Sequence, residues 1–367
     1  MTRLHDLHAD QGQSPWLDNL KRSWIDSGEL ATWVDRGVRG ITSNPSIFQK
    51  AMTDTDAYDE PLRGLMADGA TVVDAYWDLV IRDIVDALEV LRPVHDASDG
   101  VDGYVSVEVD PSLAADTDGT IAAARVLDER IDRPNLYVKI PATSEGIPAI
   151  RQMVSEGRSV NVTLIFSLDR YNEVMEAYLS GLEARVSDGC VDLSDVSSVA
   201  SFFISRTDSE VDRRLDTVGT EKATALRGQT AVAQGQVAYS MFCETFSGPR
   251  WEVLAALGAR VQRPLWASTS TKDPAYPDTL YVDTLIGPNT VNTLPDATLE
   301  AFEDHGTVAR TVDADPAAAR AVLADVSAVG VDLADVARVL EEEGVAAFIT
   351  SFDDLLANLA DKAATFS

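Results

Sequence analysis

Eight times along this chain a short strand-like stretch is followed by a longer one with helical spacing, and this alternation constrains the fold more than any other feature. The strand-like stretches are residues 15–18, 40–44, 104–110, 136–141, 161–166, 199–205, 264–267 and 280–285. Between them, residues 72–91 place Val73, Trp77, Val80, Ile81, Ile84, Leu88 and Leu91 on one helical face. Residues 168–182 do the same with Tyr171, Val174, Met175, Tyr178, Leu179 and Leu182, and Ser167 is placed to cap that helix. Residues 221–246 predict one long helix, ended by Gly248-Pro249. Strands alternating with helices build a parallel sheet, and eight such units close into a (β/α)8 barrel. An open, doubly wound sheet is the alternative, but the chain has neither a GxGxxG turn nor a GxxxxGK[ST] loop. With no internal repeat or long linker, residues 1–367 are expected to form a single domain. Residues 1–13 read as a polar N-terminal tail, and residues 306–367 as two or three helices packed on the barrel.

Charge narrows the function classes. Asp and Glu number 60 against 30 Lys and Arg, a net charge of −30. A nucleic-acid binder needs a basic footprint, and this chain has none. So acidic a surface also repels phosphorylated small molecules, and a phosphate site must therefore be a local cationic pocket. Lysine is scarce, occurring only at 21, 50, 139, 222, 272 and 362. Cys190 and Cys243 form no CxxC or His-paired pattern, which argues against a disulfide framework or a thiolate zinc site. No apolar run approaches membrane-spanning length and the N-terminus has no signal-like apolar core, so the expected location is the cytoplasm.

Within a strand, alternate residues share a face. In LYVKIPAT, Val138 and Ile140 take the face towards the helices, leaving Tyr137, Lys139 and Pro141 to point into the barrel. A single strand lysine is ordinarily a side chain that reaches water or pairs with a carboxylate. Here the neighbouring strands also send polar groups inward: Ser106, Glu108 and Asp110; Asn161 and Thr163, with Ile165 on the same face; Thr42 and Asn44; and Asp18 at the end of the first strand. Barrel interiors are normally filled with branched apolar side chains, and polar groups towards the C-terminal strand ends mark active sites. Burial favours a neutral amine, which can attack a ketone and form an imine, an electron sink that makes the adjacent C–C bond breakable. Asp18 and Glu108 supply carboxylates for the proton transfers, while Asn44, Asn161 and Thr163 supply hydrogen bonds to hydroxyls or water. His5 and His8 lie in the tail, His95 follows a helix-ending Pro93 and His305 is isolated, so no histidine cluster competes.

The segments GITSNPSIF, VSVEVDP, LYVKIPAT, NVTLIFS and SFFISR, in this order, resemble the transaldolase family, most closely its longer bacterial members with an extended helical C-terminal part. The resemblance spans residues 18–294. It implies a Schiff-base (β/α)8 enzyme of the non-oxidative pentose phosphate pathway that needs no cofactor or metal. Such an enzyme moves a dihydroxyacetone unit from sedoheptulose 7-phosphate to glyceraldehyde 3-phosphate, giving erythrose 4-phosphate and fructose 6-phosphate. By the same resemblance Lys139 forms the Schiff base, Asp18 is the acid/base for C–C cleavage and Glu108 works through a water that Thr163 positions. Asn44 and Asn161 hold donor hydroxyls, and Ser205 matches the serine at the end of strand six. The residues flanking Asp18 depart from the family pattern. So does the phosphate site, where the family has arginines after strands six and seven. Here the stretches read SRTDSEVDRR and WASTSTKDP; Ser268 matches, Ser270 takes the arginine position and Lys272 follows two residues on. Arg206, Ser268 and Lys272 are expected to form the cationic pocket. Sugar phosphates are the expected partners, with no nucleic acid and no membrane, and the chain is expected to be a monomer or homodimer. Three alternatives stay open: a free aldolase using the same lysine, a Mg2+-assisted barrel with Asp18, Glu108 and Asp283 as ligands, and a non-catalytic barrel.

Overall fold

Eight parallel strands pair in sequence order and close, β8 returning to β1. The structure is a computed structural model that describes residues 1–53 and 55–366. The strands are β1 (Gln13–Leu17), β2 (Gly40–Ile41), β3 (Tyr104–Glu108), β4 (Leu136–Pro141), β5 (Val160–Ile165), β6 (Ser198–Phe203), β7 (Arg263–Ala267) and β8 (Thr290–Leu294). Both sheet faces are buried, as expected when helices wrap a parallel sheet. Outward residues such as Val107, Val138, Ile140, Val162 and Phe202 merge with the apolar helix faces into the main core. Inward, Trp16, Tyr104, Tyr137, Val199, Leu265 and Val291 fill the barrel. Tyr137 stacks on Tyr104 at 4.1 Å between ring centroids and lies 6.0 Å from Trp16. Gly40 makes room for this plug, since a Cβ there would sit 2.4 Å from the Trp16 ring. An aromatic layer thus fills this part of the barrel interior.

Several expectations are corrected. The eighth strand is Thr290–Leu294, and the expected 280–285 segment instead contains a short helix, Leu280–Asp283. LYVD has the apolar content of a strand, but it follows Pro277-Asp278-Thr279, and the Asp283 amide closes a helical turn on the Thr279 carbonyl. TVNTL carries polar residues on both faces and shows no apolar period. The predicted 221–246 helix is two helices, Glu221–Thr224 and Thr230–Thr245, parted where Gly228 adopts φ 69°. Pro93 does not end its helix, which runs Val72–Ala97, and Val73 on its first turn is exposed. Within the N-terminal stretch, Arg3–Gln11 is a helix whose Leu4 and Leu7 are fully buried. Two leucines three residues apart define that face, although polar residues outnumber them.

The C-terminal stretch forms two helices, Pro316–Ala328 and Leu333–Ala364. The second buries Phe352, Leu355 and Leu359 in the main core and Val336, Leu340 and Phe348 in the inner cluster. No helix among the described residues is long and apolar enough to cross a membrane.

Candidate active site

At the C-terminal end of the strands lies a cavity of about 710 Å3. Lys139, on β4, reaches it from a side chain that is only 5% exposed. Register explains its neighbours: Glu108 on β3 and Asn161 on β5 both pair with Lys139 across the sheet. The Lys139 Nζ lies 3.1 Å from Glu108 Oε2 and donates to the Ser43 carbonyl at 3.3 Å. The contact with Glu108 is an ion pair without hydrogen-bond alignment, so Oε2 has no hydrogen-bond partner among the described residues. Burial pushes the Glu108 carboxyl above its ordinary range, and the Lys139 charge only partly offsets this.

Asp18 follows β1 directly, its amide bonded to the Leu294 carbonyl. Its carboxylate accepts from Thr42 Oγ1 at 2.8 Å, and Thr42 in turn meets Thr293 at 2.7 Å. Asp18 lines the cavity and is half-buried. Burial raises its carboxyl above the usual range, while Lys139 pulls the other way. Two acids of raised pKa therefore act on one amine, which makes them readier than ordinary carboxylates to hold and pass on a proton.

Thr163 lines the cavity, and its buried Oγ1 has no partner among the described residues. One residue on, Leu164 takes φ 59° and the β5–β6 register shifts between Val162 and Ile165. This bulge reverses the alternation. Leu164 joins the inner cluster and Ile165 the outer core, contrary to the inward placement read from period alone.

Asn44 lines the cavity, but its Oδ1 accepts the Ile47 amide at 3.0 Å, capping the helix Pro45–Thr53 and leaving only its amide nitrogen to donate. Asn161 lies beneath the cavity. Its amide donates to Ser106 Oγ at 3.0 Å and its carbonyl accepts from Ser201 Oγ at 2.7 Å. Ser205 does not line the cavity either. It opens the helix Ser205–Val218 and holds Ser268 through paired hydroxyls at 2.9 Å. Ser268 does line the cavity, in a left-handed conformation of φ 56°.

Arg206 and Lys272 both reach the cavity. Arg206 makes no hydrogen bond or ion pair among the described residues and lies 5.3 Å from the Phe203 ring centroid. Burial draws its pKa below the usual value. Lys272, largely exposed at the rim, donates to Ser270 at 2.8 Å. Partial burial and the nearby Arg206 charge lower its pKa. Asp283 does not join Asp18 and Glu108, because it accepts from Thr279 and from the Thr307 amide on the helix that replaces the expected strand.

Sequence reasoning missed Ser201, Thr293 and Phe348 as cavity residues. Ser201 was readable, since Val199, Ser201 and Phe203 alternate on one face. Thr293 was hidden by the misplaced eighth strand. Phe348 comes from the C-terminal helix and is not deducible from any local period.

A family profile described as Transaldolase/Fructose-6-phosphate aldolase matches residues 15–359. A transaldolase of Thermobifida fusca (strain YX) is 54% identical over 358 residues, covering 97% of this chain and 97% of its own. One of Parafrankia sp. (strain EAN1pec) is also 54% identical, over 98% and 97%. That of Saccharopolyspora erythraea is 50% identical over 99% of both chains. With that profile spanning nearly the whole chain and relatives half or more identical over almost their full length, this chain belongs to the transaldolase/fructose-6-phosphate aldolase family.

Proposed function

We propose that this chain is a transaldolase that carries a dihydroxyacetone unit between sugar phosphates on Lys139. The observation that carries the reading is a buried amine held between two carboxyls of raised pKa at the mouth of a barrel. The Lys139 amine adds to the donor ketone, and loss of water gives the protonated imine. Glu108 moves the protons of this dehydration through a water, and the unpaired Thr163 hydroxyl orients that water. Asp18 takes the proton from the C4 hydroxyl as the C3–C4 bond breaks; the electron pair passes to the imine and an aldehyde leaves. The enamine that remains attacks the acceptor aldehyde, Asp18 returns its proton to the new alkoxide, and hydrolysis frees Lys139. The Asn44 amide nitrogen binds donor hydroxyls, while Asn161 and Ser205 act one layer out by holding Ser201 and Ser268.

Arg206, Ser268 and Lys272 bind the phosphate. An unpaired guanidinium is the strongest support, because most arginines of this acidic chain are matched with carboxylates. On this reading the chain works in the cytoplasm, on the donor and acceptor sugar phosphates of the family reaction, as a monomer or homodimer.

The test is product analysis with fructose 6-phosphate as donor and erythrose 4-phosphate as acceptor. Formation of sedoheptulose 7-phosphate, unaffected by EDTA, is expected. Loss of activity with the chelator would overturn the imine route, and free dihydroxyacetone as the main product with acceptor present would assign the aldolase branch instead.

A further inference from the structure

The C-terminal helix Leu333–Ala364 crosses the catalytic end of the barrel and is tied down on both sides of the cavity. Asp335 meets Arg214 at 2.8 Å. Further along, Ser351 meets Ser46 at 2.7 Å, the Phe352 ring stands edge-on to Tyr76 at 5.2 Å, and Lys362 binds Asp59 at 2.6 Å. Between these anchors, Gly344 and Phe348 lie one turn apart on the face above the site. A Cβ on Gly344 would stand 3.1 Å from Leu164 Cδ2 and 3.6 Å from Arg206 Nη1, so a glycine there lets the helix lie close. The bulge at Leu164 is what turns that side chain up to meet it. Four residues on, Phe348 enters the cavity beside Lys139, Thr163 and Phe203, is 5% exposed, and places its ring centroid 5.6 Å from Lys139 Nζ.

The amine therefore has a carboxylate and a carbonyl beside it and an aromatic ring facing it. A ring neither donates nor accepts a hydrogen bond as water does, so it blocks one approach to the lysine nitrogen without offering water a foothold. This matters at one branch of the reaction. The Lys139-bound enamine either forms its C–C bond to an acceptor aldehyde, or takes a proton at carbon to become the imine. That imine adds water and releases dihydroxyacetone and the free amine. The first route makes a transferase. Hydrolysis of an imine ends both routes; what sets the second apart is its first step, which needs a proton donor such as water at the enamine carbon.

We infer that Phe348 of the C-terminal helix is a specificity-determining residue, which keeps proton-donating water from its side of the Lys139-bound enamine and so favours attack on a sugar aldehyde over protonation at carbon. The inference rests on the Schiff-base reading given above.

The experiment uses the full chain with fructose 6-phosphate. It compares dihydroxyacetone released with product transferred to erythrose 4-phosphate, in the wild type and in Phe348→Ala, Phe348→Gln and Phe348→Leu. Borohydride trapping on Lys139 is run on every protein. The ratio of release to transfer should rise about tenfold in the alanine variant, roughly the effect of a 1.4 kcal/mol change in barrier difference. It should rise also in the glutamine variant, which keeps the bulk but brings a hydrogen-bonding amide and covers the case in which alanine loosens the helix. It should stay near wild type in the leucine variant, which keeps the site dry. An unchanged ratio in the alanine and glutamine variants, or a leucine variant as leaky as these, overturns the role of Phe348. Absence of trapping in the wild type would instead overturn the Schiff-base reading itself.

Discussion

The two ends of the barrel each bury charge, and they do so in opposite ways. At the N-terminal end, Asp102 is fully buried and every approach to it is answered. Ser14 donates at 2.9 Å, Arg39 at 2.6 Å and Arg263 at 2.9 Å, and Arg263 also bonds Ser14 and the Thr290 carbonyl. Burial alone would raise the Asp102 carboxyl, but the two guanidiniums outweigh it and hold it at about 2. At the C-terminal end, Asp18 and Glu108 share one lysine, burial prevails, and both carboxyls sit above their ordinary range. There the carboxylate itself is left short, at Glu108 Oε2, beside the orphaned Thr163 Oγ1, whereas at the lower end the orphans include Gln13 Oε1, Gln262 Oε1 and Arg263 Nε and both Asp102 oxygens are bonded. A satisfied buried charge fixes strand ends; an unsatisfied one is available for proton transfer. The barrel concentrates stability at one end and leaves reactivity at the other.

The sharpest break in this comparison is to remove one cation from each end. Lys139→Met should abolish turnover while leaving the melting temperature unchanged or slightly raised, because Glu108 is already disposed to be neutral and loses little with its partner. A collapse of the melt would give Lys139 a structural role. Arg263→Met should do the reverse. It leaves the buried Asp102 with Arg39 as its one remaining guanidinium and breaks the bonds to Ser14 and the Thr290 carbonyl, and should lower unfolding stability by about 3 kcal/mol in denaturant titration, with kcat/KM per folded molecule kept. Arg206→Gln sharpens the contrast within the upper end. Losing a charge-assisted contact of about 1.5–3 kcal/mol should reduce kcat/KM for phosphorylated donors roughly 10- to 100-fold and hardly affect an unphosphorylated ketose.

The smallest effect separates the ends by pH. The folded pKa of Asp102, about 2, lies below its unfolded value of roughly 3.9. Its contribution, about 2.6 kcal/mol, is therefore present above pH ~4 and disappears as pH falls towards 2. Glu108 is raised in the fold, so its ionisation opposes folding at neutral pH and that opposition fades as acid protonates it. Glu108→Gln should accordingly stabilise at pH 7, and the gain should vanish on acidification. Unfolding curves from pH 7 to 3 for the Glu108→Gln and Asp102→Asn variants should move in opposite directions relative to wild type.

The lower end of this comparison was scarcely visible in the sequence, whereas the upper end largely was. Lys139, Glu108 and Thr163 stood out because period two puts them on one face of strands that otherwise read as apolar. Asp102 lies in a loop between Gly100 and Gly103 and finds Arg39 and Arg263 through the fold, so no local pattern announces it. Similar limits explain the other misses. One extra residue at Leu164 reverses the face of everything after it, and no propensity scale marks that bulge. The eighth strand is written in Thr and Asn, while the helix mistaken for it is written in Leu, Tyr and Val. Phe348 lies more than 200 residues from Lys139 in the chain and meets it only because the terminal helix returns over the barrel mouth.

The central claim is that the amine of Lys139 carries the reacting carbon chain. Reduction with borohydride in the presence of fructose 6-phosphate, followed by peptide mass mapping, tests it most directly. An adduct confined to the peptide containing Lys139 is predicted, dihydroxyacetone-sized in the wild type and shifted towards the size of the uncleaved fructose 6-phosphate in Asp18→Asn, where carbon-bond cleavage is slowed. An adduct on Lys21, Lys50 or Lys272, or none at all in an enzyme that still turns over, would contradict it.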